Sequence, residues 1–349
     1  MRVAAIDIGS NSIRLLVADL DERGGPDGAL ETVARAGEVC RLARGLDRAG
    51  TIEEELAQRV GGLAAGFVRR ARSLGAKHIV IGATAAIRNA RNGAEVAGIV
   101  ERRSGLPVRV LTGDDEAQLV YRSVVLGLGR SAAHSACIVF DIGGGSTAVV
   151  SGVGARAGRW ASLPFGAVSL TERFLHSDPP DPGEIMALEA EVQAGIMHQC
   201  ALMPEKVPLL VGVGGTVTVL ASMDRQIESY DPALLEGWSI RPDRLSGLVE
   251  RLSRSCQQDR RGLSTVGEGR ADIVVAGALV VALLFGRFPS AALVCSTQGL
   301  RYGLVRMAAG EFLDRRQPPS GPAPPGRALD VPPPPRRGRT RSAPRPDGS

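Results

Sequence analysis

Two short stretches of the chain place an aspartate directly before a glycine-containing turn that leads back into an apolar run. They are IDIGSNSI at residues 6–13 and FDIGGGST at residues 140–147. Glycines in such turns let several backbone N–H groups point outward together, and this arrangement binds anions, most often phosphate. We therefore expect two phosphate-binding turns, the second built on Gly143, Gly144 and Gly145. Hydroxyl and amide side chains add donors to both turns: Ser10, Asn11, Ser12, Ser146 and Thr147.

The aspartates before these turns, Asp7 and Asp141, indicate a cation. A carboxylate beside a phosphate site repels the phosphate unless a positive charge lies between them, and a hard divalent ion such as Mg²⁺ supplies that charge. Either aspartate could instead cap its own turn. The four histidines and five cysteines show no ligand spacing, so a metal here must be held by oxygen atoms. We expect Mg²⁺ or another divalent cation at Asp141 and Asp7.

A third glycine turn, VGVGGTVTV at residues 211–219, has a different context, because a predicted strand runs directly into a predicted helix. Gly214, Gly215 and Thr216 could present the helix N-terminus to another phosphate. A P-loop is excluded because its lysine is absent, and both Asp-containing turns return to strand, which excludes a Rossmann motif.

The turns need strands and helices to position them. Apolar runs at residues 3–8 and 12–20 predict a hairpin, and strands then alternate with amphipathic helices, which is typical of an α/β protein. The second half begins with the same order of strand, Asp, glycine turn and strand. Such an internal repeat predicts duplicated domains that face each other across a cleft. We expect lobes at 1–125 and 126–312, with the final helix, 298–313, packing back on the first lobe.

Composition indicates a globular protein that stays in the cytoplasm. The N-terminal segment carries an Asp inside its apolar run, unlike a signal peptide. The longest apolar run, 271–285, is shorter than the roughly 20 residues that span a bilayer. The scattered cysteines fit a reducing compartment rather than a disulfide framework. We expect no association with membranes.

The net charge of +5 belongs to the C-terminal tail. From residue 315 the chain has eight Arg and two acids, whereas residues 1–314 have 34 basic and 35 acidic residues. Half of the 22 prolines also lie in this tail, so residues 315–349 are expected to be disordered. The segment PRRGRTR could hold a polyanion by its charges, but nucleic-acid binding by the remainder is not indicated.

Seven motifs stand in the order seen in the Ppx/GppA family of exopolyphosphatases and guanosine pentaphosphate phosphohydrolases. They are DIGSNSIRLLV, GATAAIRNARNG, GDDEAQLVYRSV, FDIGGGST, VGVGGT, GEGRADIVVAGALVV and STQGLRYGL. The resemblance covers residues 1 to about 312. It implies a duplicated actin, sugar kinase and Hsp70-like (ribonuclease H-like) fold with an interdomain active site, in the short two-domain form of the family, which often forms homodimers.

The resemblance also implies roles for individual residues. Glu116 of GDDEA matches the catalytic base that activates water, although by position alone it could merely complement the dipole of its helix. Arg14 and Arg88 match phosphate-binding arginines, for which a fork of donors is well suited. Both arginines could instead form surface salt bridges. Arg301 matches a family position without an assigned role.

The sequence departs from the family at Ala148, where most members read GGGSTE and this chain reads GGGSTA. One carboxylate is therefore missing beside the expected metal. We expect that the protein still hydrolyses the terminal phosphoanhydride of polyphosphate or guanosine pentaphosphate, because Glu116 and both turns are present. Two alternatives remain: a binding or sensor protein for the same phosphates, and a small-molecule kinase of the same fold.

Overall fold

Two mixed β-sheets form the frame of the protein. The structure, a computed structural model, describes residues 1–267 and 269–316. The described part of the first half contains these elements: β1 Arg2–Ile8, β2 Ser12–Leu20, β3 Leu30–Val39, α1 Leu46–Ala49, α2 Glu54–Ser73, β4 His78–Ala83, α3 Ala85–Asn89, α4 Gly93–Ser104, β5 Val108–Val110 and α5 Gly113–Leu128. Short 3₁₀ turns lie at Glu22–Asp27 and Gly129–Ser131.

The second half begins after the second of these turns. It repeats the strand order of the first half but has different helices. Its elements are β6 Ala136–Ile142, β7 Thr147–Val153, β8 Arg156–Leu163, α6 Ala167–Phe174, α7 Pro182–Gln199, β9 Leu209–Val213, α8 Gly215–Arg225, α9 Pro232–Leu235, β10 Ser239–Ile240, α10 Pro242–Arg254, α11 Gln257–Gly262, α12 Val274–Arg287, β11 Leu293–Cys295 and α13 Leu300–Arg316.

The strand orders show that the fold is duplicated. The first sheet has the order β3-β2-β1-β4-β5, and the second has β8-β7-β6-β9-β11 with β10 added at its edge. In each sheet three antiparallel strands come first, and the first of them then pairs in parallel with a strand that follows a helix or a pair of helices. This arrangement confirms the α/β, actin-like fold class predicted from the repeated Asp-turn motif.

Helices α5 and α13 lie between the two sheets. Tyr121 on α5 and Leu304 on α13 are almost fully buried in a cluster that includes Val3 of β1 and Val139 of β6. Helices α2 and α4 cover the outer face of the first sheet, while α7, α10 and α12 belong to the core beside the second. The shared central layer holds the hairpin turns of both sheets at one cleft.

Some local predictions need correction. The strand β3 was not expected, because its residues are mostly exposed and form no apolar run. The spacing of Thr51 and Glu54 predicts a capping box, but helix α2 has Glu53 as its N-cap and no capping side chain. The spacing of Ser169 and Glu172 predicts that Ser169 caps a helix, but α6 begins after Gly166, and Ser169 lies inside it and accepts from the Gly166 N–H. The same spacing at Asp181 and Glu184 also predicts a capping box, and α7 has it.

Two further expectations concern membrane spans and the C-terminal tail. None of the described helices is both long enough and apolar enough to cross a membrane. Helix α13 continues to Arg316, two residues into the predicted tail, and it packs against β1, β4 and α5. Residues 317–349, which hold the remainder of that tail and its PRRGRTR segment, lie outside the described residues.

A candidate active site between the two sheets

The hairpin turns of the two sheets meet at a cavity. A Cβ atom placed on Gly144 would lie 3.0 Å from Cβ of Ser10 and 3.3 Å from the backbone nitrogen of Asn11, so a larger residue would push the turns apart. The predicted residues that line this cavity come from all three glycine turns, both aspartates and helix α5: Asp7, Ser10, Asn11, Ser12, Arg14, Glu116, Asp141, Gly143, Gly144, Ser146, Gly214, Gly215 and Thr216.

The two aspartates occupy equivalent places in the two sheets. Asp7 lies opposite Arg14 in the β1–β2 ladder, and Asp141 lies opposite Ala148 in the β6–β7 ladder. Burial raises the pKa of Asp7, although Arg14 and Arg301 oppose the rise. Burial, with the nearby charges of Glu116 and Asp7, raises the pKa of Asp141 to about 7. Burial and the mutual repulsion of the three acids thus disfavour the charged form of Asp141, and a cation beside it would favour that form.

This donor set fits a divalent cation. The Oδ1 atom of Asp7 is buried and accepts no hydrogen bond from a described residue, so a positive ion would satisfy it. Within the described residues no group of three or more His, Cys, Asp or Glu could hold a metal. An ion at Asp7 and Asp141 would therefore take its other ligands from water and phosphate oxygens, as Mg²⁺ commonly does.

Glu116 lies in the first turns of α5 and faces the same cavity. Helix α5 begins with a capping box in which Thr112 accepts from the backbone N–H of Asp115 at 3.1 Å. Arg88 donates from Nη1 to Oε2 of Glu116 at 3.1 Å and to the Leu111 carbonyl at 2.9 Å. Burial raises the pKa of Glu116, Arg88 lowers it and Asp7 raises it further. The carboxylate is thereby fixed in orientation and made more basic than an exposed glutamate.

The third glycine turn packs directly against Asp141. Gly214 has a φ of +97°, and a Cβ there would lie 2.8 Å from Oδ1 of Asp141. A Cβ on Gly215 would lie 2.8 Å from Nε of Arg270. Glycine at both positions lets the N-terminus of α8 reach the cavity, where its free N–H groups favour an anion.

Three predicted site residues make other contacts. Arg88 does not line the cavity but holds Glu116, as described above. The Thr147 hydroxyl is fully buried and donates to the Phe165 carbonyl at 2.9 Å. Gly145 packs against Ser10, because a Cβ placed on Gly145 would lie 3.2 Å from the Ser10 hydroxyl oxygen. These residues shape the site, and the structure gives none of them a direct place in the cavity lining.

Sequence reasoning missed a cluster of arginines. A second cavity of about 400 Å³ shares Asp7, Arg14 and Asp141 with the first and is also lined by Arg35, Arg270 and Arg301. Burial lowers the pKa of Arg270 and of Arg301 to about 10, and Asp7 partly offsets this for Arg301.

Neither arginine forms an ion pair or a side-chain hydrogen bond with a described residue. Nothing in their sequence spacing predicts the cluster, although Arg270 lies in the GEGRADIV motif and Arg301 in GLRYG. Two largely buried guanidinium groups that form no ion pair within the described part of the chain favour a bound anion.

The duplicated sheets and the cleft between their paired turns place the chain in the actin, sugar kinase and Hsp70-like class. Within this class the model of the Ppx/GppA phosphatase family matches residues 17–311, and the chain belongs to that family.

Relatives and solved structures agree with this assignment. The chain is 33% identical to exopolyphosphatase 2 of Mycobacterium tuberculosis over 288 residues, which cover 80% of this chain and 88% of the relative. It is 31% identical to exopolyphosphatase 1 of Mycobacterium bovis over 307 residues, 87% of each chain. The crystal structure of the Aquifex aeolicus Ppx/GppA family member is similar with a TM-score of 0.76 and 28% identity, covering 91% of this chain and 99% of that one.

Proposed function

We propose that the protein is a cytoplasmic phosphohydrolase that releases orthophosphate from the end of inorganic polyphosphate. The observation that carries the proposal is the position of Glu116, which is held by Arg88 in the cavity that both phosphate turns line. The names of the two mycobacterial relatives support polyphosphate as the substrate. Guanosine pentaphosphate ends in the same phosphoanhydride and is the second substrate to test.

The proposed reaction is an attack of water on the terminal phosphorus. Glu116 orients the water and accepts its proton, while Arg88 keeps the carboxylate in place. The new bond joins the water oxygen to phosphorus, and the bridging P–O bond breaks. The bridging oxygen leaves on the shortened chain, so the products are orthophosphate and a polyphosphate with one unit fewer.

Electrostatic stabilisation comes from groups that are already positioned. The N–H groups of the turns around Ser10 and Gly144 and the N-terminus of α8 would bind the phosphate oxygens. Arg14, Arg270 and Arg301 would neutralise the units beyond the terminal one. A divalent ion held by Asp141 and Asp7 would supply further positive charge to the phosphate oxygens.

The test is release of orthophosphate by the full chain with Mg²⁺ and either long-chain polyphosphate or guanosine pentaphosphate. We expect release from polyphosphate, and a fall of about 10²–10⁴-fold in kcat for Glu116→Gln. Glu205→Gln, an exposed change of the same kind, serves as the control and leaves the rate unchanged. Tight binding of both phosphates without orthophosphate release would replace the proposal with a sensor function, and transfer of phosphate to a small acceptor would replace it with a kinase.

A further inference from the structure

Arg270 reaches the cleft on a short irregular segment of the second half. Residues 269–273, here called the crossing segment, directly precede α12, and Arg270 within it lines both of the cavities at the two aspartates. Asp272 of the same segment pairs with Nη1 of Arg41 in the first half at 2.9 Å. The crossing segment therefore contacts both halves of the chain.

The backbone of the segment itself gives limited support to Arg270. No described helix or strand contains this residue, and its backbone N–H makes a long hydrogen bond of 3.4 Å to the Gly267 carbonyl. On the other side its carbonyl accepts from the N–H of Val274 at 2.9 Å, where α12 begins. Contacts from outside the segment therefore decide how firmly it is held.

The buried Arg260 of α11 makes such a contact. This residue is 3% exposed, and its Nε donates to the Ala271 carbonyl at 2.7 Å. Its Nη1 donates to the carbonyls of Leu252 and Ser255 near the end of α10, and its Nη2 pairs with Asp178 at 3.3 Å. One planar guanidinium group thus joins the crossing segment to α10 and to the loop before α7.

Stability alone does not require an arginine at position 260. Burial lowers the pKa of Arg260, and the charge of Asp178 opposes the change, so the protonated side chain carries a desolvation cost. Replacing a buried ion pair by apolar residues of similar volume is often neutral or stabilising. Arg260 lines neither cavity. What an apolar side chain could not supply is the donor to the Ala271 carbonyl.

We propose that Arg260 is a positioning residue for phosphate binding, because its hydrogen bond to the Ala271 carbonyl holds the neighbouring Arg270 in the cleft. The inference rests on the proposed function, in which Arg270 neutralises phosphate units beyond the terminal one. A guanidinium that is already in place loses little freedom when the substrate binds, whereas one on a loose segment must be ordered at the expense of affinity. Without this bond the protein binds polyphosphate more weakly but cleaves the bound substrate at the same rate.

The test compares Arg260→Met with Arg260→Gln on long-chain polyphosphate. The two side chains have the same length, but glutamine places an amide N–H donor at the position of Nε and methionine places a methyl group there. Both lose the positive charge and the contacts of Nη1 and Nη2, and thermal unfolding measures how much stability each has lost. We expect KM to rise about tenfold in Arg260→Met, as for the loss of one hydrogen bond from a charged group, with kcat unchanged. In Arg260→Gln we expect KM to stay within about twofold of the unchanged protein, since the donor is retained.

A double-variant cycle tests whether Arg260 acts through Arg270. Arg270→Met by itself should raise KM, and adding Arg260→Met should raise it no further, because the residue being positioned is absent. Arg251→Met, an exposed change on α10, is the control and leaves KM unaltered. Additive rises of KM in the cycle would overturn the inference. So would an equal rise in Arg260→Met and Arg260→Gln, or no rise in either.

The inference and the proposed function can fail separately. If Arg260→Met does not fold, Arg260→Gln decides, because an unchanged KM supports the inference and a raised KM contradicts it. If the unchanged protein hydrolyses neither polyphosphate nor guanosine pentaphosphate, the proposed function fails by itself. Calorimetric affinity for tripolyphosphate then replaces KM in the same comparisons. Weaker binding confined to Arg260→Met supports the positioning role, and equal binding in both variants contradicts it.

Discussion

Ala148 is the direct partner of Asp141 in the ladder between β6 and β7, and it is 8% exposed. In the first sheet the same relative position opposite Asp7 is held by Arg14. The two halves of the cleft thus place a cation beside one aspartate and a methyl group beside its counterpart. Residue 148 is therefore a position at which a second carboxylate can be placed directly opposite Asp141.

Replacing this alanine tests whether a second carboxylate is needed at the metal. In Ala148→Glu we expect the Mg²⁺ concentration for half-maximal activity to fall several-fold, because a new oxygen ligand stands beside Asp141. Without Mg²⁺ the variant should be less stable than the unchanged protein, since like charges opposite each other in a ladder repel. Titration of activity with Mg²⁺ and thermal unfolding with and without Mg²⁺ provide both measurements.

The control for this variant is Ala148→Gln, which has the same size without the charge. It should reproduce any steric effect but leave the response to Mg²⁺ unaltered. Equal Mg²⁺ dependence in all three proteins would show that Asp141 and Asp7 suffice.

Arg88 allows a prediction for pH dependence. Burial raises the pKa of Glu116 and Arg88 lowers it, so removing the cation in Arg88→Met should raise the pKa further. A catalytic base acts when deprotonated, and activity is therefore lost as the pH falls through its pKa. We expect the acidic limb of kcat/KM against pH to move to higher pH. A variant with weaker substrate binding but an unmoved acidic limb would show instead that Arg88 contacts phosphate, as the family resemblance implies.

Arg301 should show a conflict between stability and function. Its burial lowers its pKa to about 10, and a largely buried cation without a hydrogen-bonded acid partner costs free energy. We expect Arg301→Met to raise the free energy of unfolding in phosphate-free buffer by about 1 kcal/mol. Adding tripolyphosphate should stabilise the unchanged protein and have little effect on the variant. Urea unfolding with and without tripolyphosphate measures both changes.

Arg251→Met, an exposed substitution on α10, is the control and should leave both quantities unaltered. The explanation is wrong if Arg301→Met lowers stability without phosphate and keeps the full response to tripolyphosphate.

Local sequence patterns were sufficient to predict the structure where only one residue type fits the position. A glycine turn can be predicted from the sequence because other residues are excluded there, at Gly214 by its φ of +97° and at Gly144 by the close approach of Ser10. The sequence does not predict strand β3, because its exposed side chains leave no periodic apolar pattern. The position of this strand depends on its pairing with β2. Thr51 has the spacing of a cap, yet helix α2 begins with Glu53 as its N-cap.

By itself the sequence determined the duplicated α/β plan, the two aspartate turns and, through family resemblance, the candidate base Glu116. Only the tertiary structure decided that Arg88 holds Glu116, that Thr147 bonds to a backbone carbonyl, and that Arg270 and Arg301 adjoin the cleft. The physical reason is distance along the chain. A turn is fixed by neighbours a few residues away, whereas the arginines meet the aspartates only because α5 and α13 pack both sheets around one central layer.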